Sequence, residues 1–250
     1  MPTLIVTPTY QEADNIEEFL RRLRAAEPDL DVLVIDDNSP DGTGEIAERL
    51  GKELGRVEVL HRPSKQGLGE AYRAGFSVAM ERGYDRIVQI DADLSHDPAV
   101  IPDLLRAVDD GADVAIGSRY VPGGSIPHWP WLRRALSQYG NRYAGLVLGL
   151  PVRDATSGYR AYRADLLRRI DFLHSRAKGY GFQIETAYRV WREGGRITEA
   201  PIEFTDRVRG YSKMTLSIAA EELGLVTWWG VRDRTRRLAE RIGRGQHPSR

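Results

Sequence analysis

The sequence contains no cysteine. Thiol catalysis, disulfide bonds and cysteine-ligated zinc are therefore excluded. The five histidines, at positions 61, 96, 128, 174 and 247, show no metal-ligand spacing. The amino terminus enters "TLIVTPTY" directly, with no basic segment and long apolar stretch, so no secretory signal is read. Long hydrophobic runs are missing as well. The longest, around "YAGLVLGLPV", falls far short of the ~20 residues that a transmembrane helix needs. Net charge is zero, with 36 Lys and Arg against 36 Asp and Glu, which argues against a general nucleic-acid binder. The expectation is a soluble or peripheral protein, cytoplasmic by default.

The balance of charge is uneven along the chain. From Arg232 to Arg250 seven Arg face two acids, Asp233 and Glu240, while the rest carries 29 basic and 34 acidic side chains. Such a tail suits an anionic surface, or is simply a solvated terminus. The 250 residues, 41% hydrophobic and 29% charged, fit one large α/β domain.

Over the first 120 residues the hydrophobic period alternates. "TLIVT" (3–7), "DVLVID" (31–36), "VEVLH" (57–61), "RIVQID" (86–91) and "DVAIGS" (113–118) are short runs rich in Val and Ile. Between them lie helical patterns: Ile16, Phe19, Leu20 and Leu23, then Leu68 to Phe76, then Val100 to Val108. Apolar strands alternating with helices predict a mostly parallel sheet covered on both faces. Ligands of such sheets bind beyond the carboxyl ends of the strands. "PTYQE", "DDNSPDGT", "DADLS" and "GSRY" all lie there.

The third cluster carries Asp91 and Asp93. In an extended backbone, residues i and i+2 point the same way, roughly 6.6 Å apart at a rise of ~3.3 Å per residue. Two like charges that close repel unless something positive sits between them. Taken alone, the pair reads either as a solvated loop start or as a divalent-cation site of oxygen ligands that would hold substrate phosphates. Convergence of four polar clusters on one crevice favours the cation site.

Beyond residue 120, "VPGGSIPHWPW" is a Gly/Pro-rich loop. Trp131–Leu150 reads as an amphipathic helix with Leu132, Leu136, Tyr139, Tyr143, Leu146 and Val147 along one side. "GYGFQIETAYRVW" predicts another helix, "RITEAPIEF" a strand, "TDRVRGYSK" a basic loop, and the last stretch an amphipathic helix with Trp228 and Trp229. The expected organisation is a domain over 1–215 and an amphipathic, basic appendage over 216–250.

"PTYQE", "VIDDNSPDGT", "DADLSHDP", "GSRY", "TSGYRAYR" and "DRVRGYSK", in this order, resemble the family 2 glycosyltransferases. Within them the chain is similar to the polyprenol monophosphomannose synthases, also called dolichol-phosphate mannosyltransferases. The resemblance covers nearly all of 3–215 and implies a Rossmann-like GT-A fold. It also implies inverting transfer of mannose from GDP-mannose to a polyprenyl (dolichyl) monophosphate, with Mg²⁺ or Mn²⁺. The donor site it implies comprises Pro8, Tyr10, Glu12, Ile35, Asp37, Asp91, Ala92 and Asp93. Asp93 would be the surest metal ligand, with Asp91 near the ribose or the metal. Arg119, Arg207 and Lys213 would meet the diphosphate or the acceptor phosphate, and Arg133 could join them in bringing the two anionic substrates together. Relatives often carry Gln two residues past the second Asp; here it is Ser95, whose shorter hydroxyl would leave that coordination position to water.

The chemistry suits this inventory. A phosphomonoester acceptor, with a second pKa of about 6, is mostly ionised at neutral pH and needs no strong base. It needs cations to bring two anions together. A hydroxyl acceptor would require a positioned carboxylate base, and no surplus acid stands out beyond the metal motif. A polyprenyl-phosphate glucosyltransferase and another hexosyltransferase remain the alternatives, and an inactive nucleotide-sugar-binding regulatory subunit the reading of a different class. The glycines of "KQGLGEAYRAGF" lack the ending of a phosphate-binding P-loop and read as helix packing. Trp228 and Trp229 read either as core or as an interfacial anchor. A lipid acceptor implies a protein peripheral on the cytoplasmic face of a membrane, with the tail on lipid or on a membrane-spanning partner protein.

Overall fold

The computed structural model describes residues 1–175, 177, 181–206 and 223–235. Arg207, Lys213, most of the basic loop and the boundary expected at 215 lie outside them. β1 (Thr3–Thr9), α1 (Ala13–Ala26), β2 (Asp31–Asp36), α2 (Thr43–Leu54), β3 (Val57–His61), α3 (Leu68–Glu81) and β4 (Arg86–Gln89) alternate as the sequence periods predict. α4 (Ile101–Asp109), β5 (Val114–Ser118), α5 (Trp131–Leu148), β6 (Arg160–Arg163), α6 (Ala164–Arg169), α7 (Gly181–Arg192) and β7 (Ile197–Pro201) follow. Residues 223–235 are helical.

One seven-stranded sheet results, in the order β3-β2-β1-β4-β6-β5-β7. β6 runs antiparallel to β4 and β5, and every other pairing is parallel. The carboxyl ends of β1, β2, β4 and β5 therefore share one edge. The strand order turns back on itself between β1 and β4, the place where an open α/β sheet leaves a crevice.

Successive residues of a strand face opposite sides, and here both sides are buried. Leu4, Val6, Leu33 and Ile35 pack with Tyr72 and Phe76 of α3 in one core cluster. Ile5, Val32 and Val34 pack with Ile16, Phe19 and Leu20 of α1 in the other. Two covered faces explain why these strands are apolar throughout rather than alternating. α3 sits unusually close to the sheet: a Cβ on Gly75 would lie 2.4 Å from Val6 Cγ1. Any larger residue there would push the helix off β1, which accords with reading the glycines of this segment as packing.

The helix over 223–235 closes against α5 and α7. Trp229 is buried and stacks on Tyr188 with ring centroids 6.3 Å apart. Gly230 admits the Val147 backbone, whose carbonyl oxygen would lie 2.9 Å from a Cβ. The Tyr143 and Thr227 hydroxyls are 2.7 Å apart, and Arg192 pairs with Asp233. α5 buries Asn141, Ala144 and Leu148. The stripe of Leu132, Leu136, Tyr139 and Leu146 turns outward, and Leu146 is 80% exposed.

Candidate active site

Each strand end delivers one of the clusters. After β1, the backbone passes Tyr10 and reaches Glu12, which caps α1 by accepting the Asn15 and Ile16 amides on its carbonyl. After β2 comes the Asp36–Thr43 loop, and much of its polarity braces the site. Asp36 accepts hydrogen bonds from Ser39 Oγ at 2.6 Å and Thr9 Oγ1 at 3.2 Å. Asp41 accepts Thr43 Oγ1 at 2.6 Å and the Ala13 amide at 3.1 Å, tying this loop to the start of α1. Pro8 and Ile35 are cross-strand partners. The Ile35 side chain is fully buried in the core, and Ala92 is buried as well.

Asp37 receives Arg62, whose other nitrogen donates to Gln66 Oε1 at 3.1 Å. Burial lifts the Asp37 carboxyl above the ordinary carboxylate range despite the opposing pull of Arg62. Lys65 Nζ stands 4.0 Å from the centre of the Tyr10 ring, a favourable cation–π distance. An aromatic face, a carboxylate and two cations thus line this end of the crevice.

β4 stops at Gln89, two residues before Asp91. The extended spacing read from sequence ends there, and Asp91-Ala92-Asp93 forms a loop that turns at Leu94, φ +62°. Gln11 and Asn38, at φ +58° and +57°, adopt the same left-handed backbone beside two other strand ends. Backbones of this kind cost free energy for non-glycine residues and cluster at functional sites. Both carboxylates are held by hydroxyls. Tyr72 donates to Asp91 Oδ1 at 2.8 Å, and burial with the adjacent carboxylate keeps the phenol protonated well above its usual range. Ser95 Oγ donates to Asp93 Oδ1 at 2.5 Å, joined by the Ser95 amide at 3.0 Å. Ser95 therefore orients Asp93 from a buried position.

The donor set fits a hard cation. Among the described residues no cluster of three or more His, Cys, Asp or Glu could hold a metal ion; Asp91 and Asp93 would offer it two carboxylates. Mg²⁺ and its like are commonly bound by one or two carboxylates with substrate phosphates completing the shell.

After β5, Arg119 is locked to Asp154. Its Nε reaches Oδ2 and its Nη2 reaches Oδ1, each at 2.7 Å, while its amide donates to Oδ2 at 3.0 Å. Burial would raise Asp154, but the Arg119 guanidinium holds it below the usual carboxylate value. Arg133 stacks on Trp129 at 3.9 Å, and both donate to Asp206 Oδ1, at 3.0 and 2.8 Å. His96 lies beneath, its ring 5.0 Å from Tyr159 and 5.3 Å from Phe204. Burial takes its pKa down to about 4, Asp93 opposing and Arg119 assisting.

The structure thus gathers Tyr10, Glu12, Asp37, Asp91, Asp93 and Arg119 along one sheet edge, with Arg133 flanking at the start of α5. Tyr72, Ser95 and Asp154 were missed as partners. Ser95 sits inside the quoted motif, but nothing local links Tyr72 to residue 91 or Asp154 to residue 119.

An α/β crevice with paired carboxylates and flanking arginines at its strand ends suits an anionic substrate. Residues 4–171 match Glycosyl transferase family 2, and the chain belongs to that family. It is 49% identical over 243 residues to an undecaprenyl-phosphate mannosyltransferase of Micrococcus luteus, covering 97% of this chain and 100% of that one. It is 48% identical over 233 residues to a polyprenol monophosphomannose synthase of Mycolicibacterium smegmatis, covering 93% and 88%. Its fold matches a Pyrobaculum calidifontis mannosyltransferase solved with GDP-mannose and Mn²⁺, with a TM-score of 0.60 and 18% identity over 98% of this chain and 76% of that one. The fold is GT-A, as the resemblance implied.

Proposed function

We propose that the protein transfers mannose from GDP-mannose to the phosphate of a membrane polyprenyl monophosphate, inverting the anomeric carbon. The observation that carries this reading is identity of 48–49% with two polyprenyl-phosphate mannosyltransferases across nearly the whole chain. The site's chemistry supports it. Tyr10, Lys65 and Asp37 line the nucleotide side, and Asp91 and Asp93 would hold Mg²⁺ or Mn²⁺ with the donor diphosphate. A divalent cation bound there supplies a Lewis acid for the charge that develops on the departing GDP. Arg119 and Arg133 escort the acceptor phosphate toward the anomeric carbon, with Arg207 and Lys213 assigned to the diphosphate.

No side chain need take a proton from the acceptor. Both carboxylates beside the arginines are engaged, the buried Asp154 by Arg119 and Asp206 by Arg133 and Trp129, which suits them to positioning cations rather than to general-base work. This favours a phosphate nucleophile over a sugar hydroxyl.

The acceptor lipid also gives the outward stripe of α5 a purpose. No helix among the described residues is long and apolar enough to cross a membrane. Yet Trp131, Leu132, Leu136, Tyr139, Leu146, Trp228 and Val231 are all exposed, on two helices packed together. Arg142, Arg232 and Arg234 are exposed beside them. In this reading the platform lies in the interface of the cytoplasmic leaflet, where anionic headgroups attract each Arg by ~1 kcal/mol. Monomers of soluble proteins rarely show apolar patches of this kind without a binding role.

The test is a panel of radiolabelled nucleotide sugars incubated with the protein and acceptor membranes, followed by organic extraction. Label from GDP-mannose should enter the lipid phase and chelator should stop it. Transfer from UDP-glucose in preference would overturn the donor assignment, and no transfer from any donor would overturn the activity.

A further inference from the structure

We infer that Gln183 reads the hydroxyl groups of the transferred hexose, in a cradle kept open by Gly158. This inference rests on the proposed donor and goes beyond it, because no motif quoted from the sequence included either residue's role. Gln183 lies in the first turn of α7 and is 1% exposed. Neither its Oε1 nor its Nε2 has a hydrogen-bond partner among the described residues, and Gln89 Nε2 is in the same position. Buried amides are ordinarily satisfied, so each exception calls for an explanation.

The geometry supplies one. A Cβ on Gly158 would lie 3.4 Å from Asp91 Oδ2, 3.5 Å from Gln183 Nε2 and 3.8 Å from Gln89 Nε2. Three polar atoms therefore converge on a bare Cα. Gly158 and Asp91 are half-exposed, whereas Gln183 and Gln89 are buried, so the first pair forms a rim and the second a floor. The cradle is rigid. The buried Arg160 guanidinium donates to the carbonyls of Ser157, Ala155 and Gln183 at 2.8, 2.7 and 2.9 Å, binding loop to helix. Tyr72, which holds Asp91, stacks on Phe182 with the rings only 3° from parallel.

An amide offers one acceptor and one NH₂ donor whichever way it is turned. A hexose hydroxyl both donates and accepts, so a sugar edge entering past Asp91 satisfies groups that are otherwise orphaned. Sites built to hydrogen-bond a hydroxyl discriminate strongly against substrates that misplace it. The competing occupant is a trapped water, which would satisfy the same atoms without reading the sugar.

The experiment uses the full chain with Mn²⁺ and measures affinity for GDP, GDP-mannose and GDP-glucose by calorimetry, alongside thermal unfolding. The variants are Gln183→Met, which keeps the volume, and Gly158→Ala, which fills the cradle without disturbing the core. Expected is unchanged GDP affinity, about tenfold or greater weakening of GDP-mannose, and a smaller difference between the two hexoses. Unchanged GDP-mannose affinity in both variants would mean that the cradle holds water only and would overturn the proposal. Equal loss of GDP and GDP-mannose would make the residues structural and overturn it likewise. If the wild type prefers UDP-glucose, the mannosyl reading fails separately, and the same comparison with UDP and UDP-glucose then decides the cradle.

Discussion

The proposed nucleotide side and the proposed lipid side of the molecule break opposite rules of protein interiors. At the ends of β2 and β4, Asp36, Asp37 and Asp93 are buried polar groups, and each is paired with a hydroxyl, an amide or a guanidinium. On α5 and the helix over 223–235, large apolar side chains stand in the open. Buried charge is tolerated where it is paired; exposed hydrocarbon is useful where the second substrate is itself hydrocarbon. Under the proposed function, the difference would separate what is ordered for a soluble donor from what is kept uncovered for an insoluble acceptor.

The largest expected effect is at the donor end. Asp93→Ala should lower transfer by about a thousandfold or more, the scale on which losing transition-state charge stabilisation is felt. Mn²⁺ binding, followed by electron paramagnetic resonance, should fall with it, while circular dichroism stays native. A chelator should do the same to the wild type. Substantial transfer by Asp93→Ala, or by the wild type in excess chelator, would remove the metal from the site.

Between the two ends stands the Arg119–Asp154 pair. Removing one partner of a buried pair leaves an uncompensated charge and costs about 3–5 kcal/mol. Asp154→Ala should therefore lower the unfolding free energy by that amount in denaturant titrations. A loss of under ~1 kcal/mol, the range of exposed pairs, would mean that water reaches Arg119 and that the buried network ends before β5.

His96 tests the same boundary by pH. Its folded pKa, about 4, is depressed below the ordinary histidine value of 6.5 by burial. Between those values the unfolded chain binds more protons, so stability should fall as pH drops from 6.5 toward 4. The full contribution is on the order of 3 kcal/mol at ~1.4 kcal/mol per unit. His96→Gln should flatten the unfolding free energy over that window relative to the wild type, and identical slopes would place the imidazole in contact with solvent.

How much of this was legible beforehand follows from the range over which each signal acts. The parallel strands announced themselves as runs of Val and Ile, because both of their faces are buried. β6 did not: "RAYR" carries Arg160 and Arg163 at its ends, and only the sheet around it makes it a strand. Asp91 and Asp93 were legible as a motif, but their holders Tyr72 and Ser95 took on meaning only once α3 and the loop were folded. Arg119 and Asp154 are 35 positions apart, and nothing local joins them. Trp228 and Trp229 are adjacent on a helix, hence about 100° apart at 3.6 residues per turn, and one is exposed while the other is core. The stripe of α5 was visible as a stripe. Periodicity reports that two faces differ but not which of them looks at the protein.

That ambiguity defines the smallest expected effect and the sharpest test of the comparison. Leu136 and Leu146 are 58% and 80% exposed. If this face is solvent-facing in the free protein, replacing both by Ser should leave stability within about 0.5 kcal/mol, as surface changes usually do. Truncating them in a core would instead cost about 2–5 kcal/mol each. The same variant should bind GDP-mannose as the wild type does, because both leucines are exposed and neither belongs to the strand-end clusters. Its co-sedimentation with anionic vesicles should weaken by about tenfold, since apolar area entering the interface drives such binding. Added salt should weaken the remainder, because a Debye length of ~8 Å screens Arg from headgroups. Transfer to a long-chain acceptor should fall with sedimentation, while transfer to a water-soluble short-chain acceptor should not. Loss of stability without loss of vesicle binding would put these leucines inside the molecule, and the lipid side would then obey the same rule as the nucleotide side.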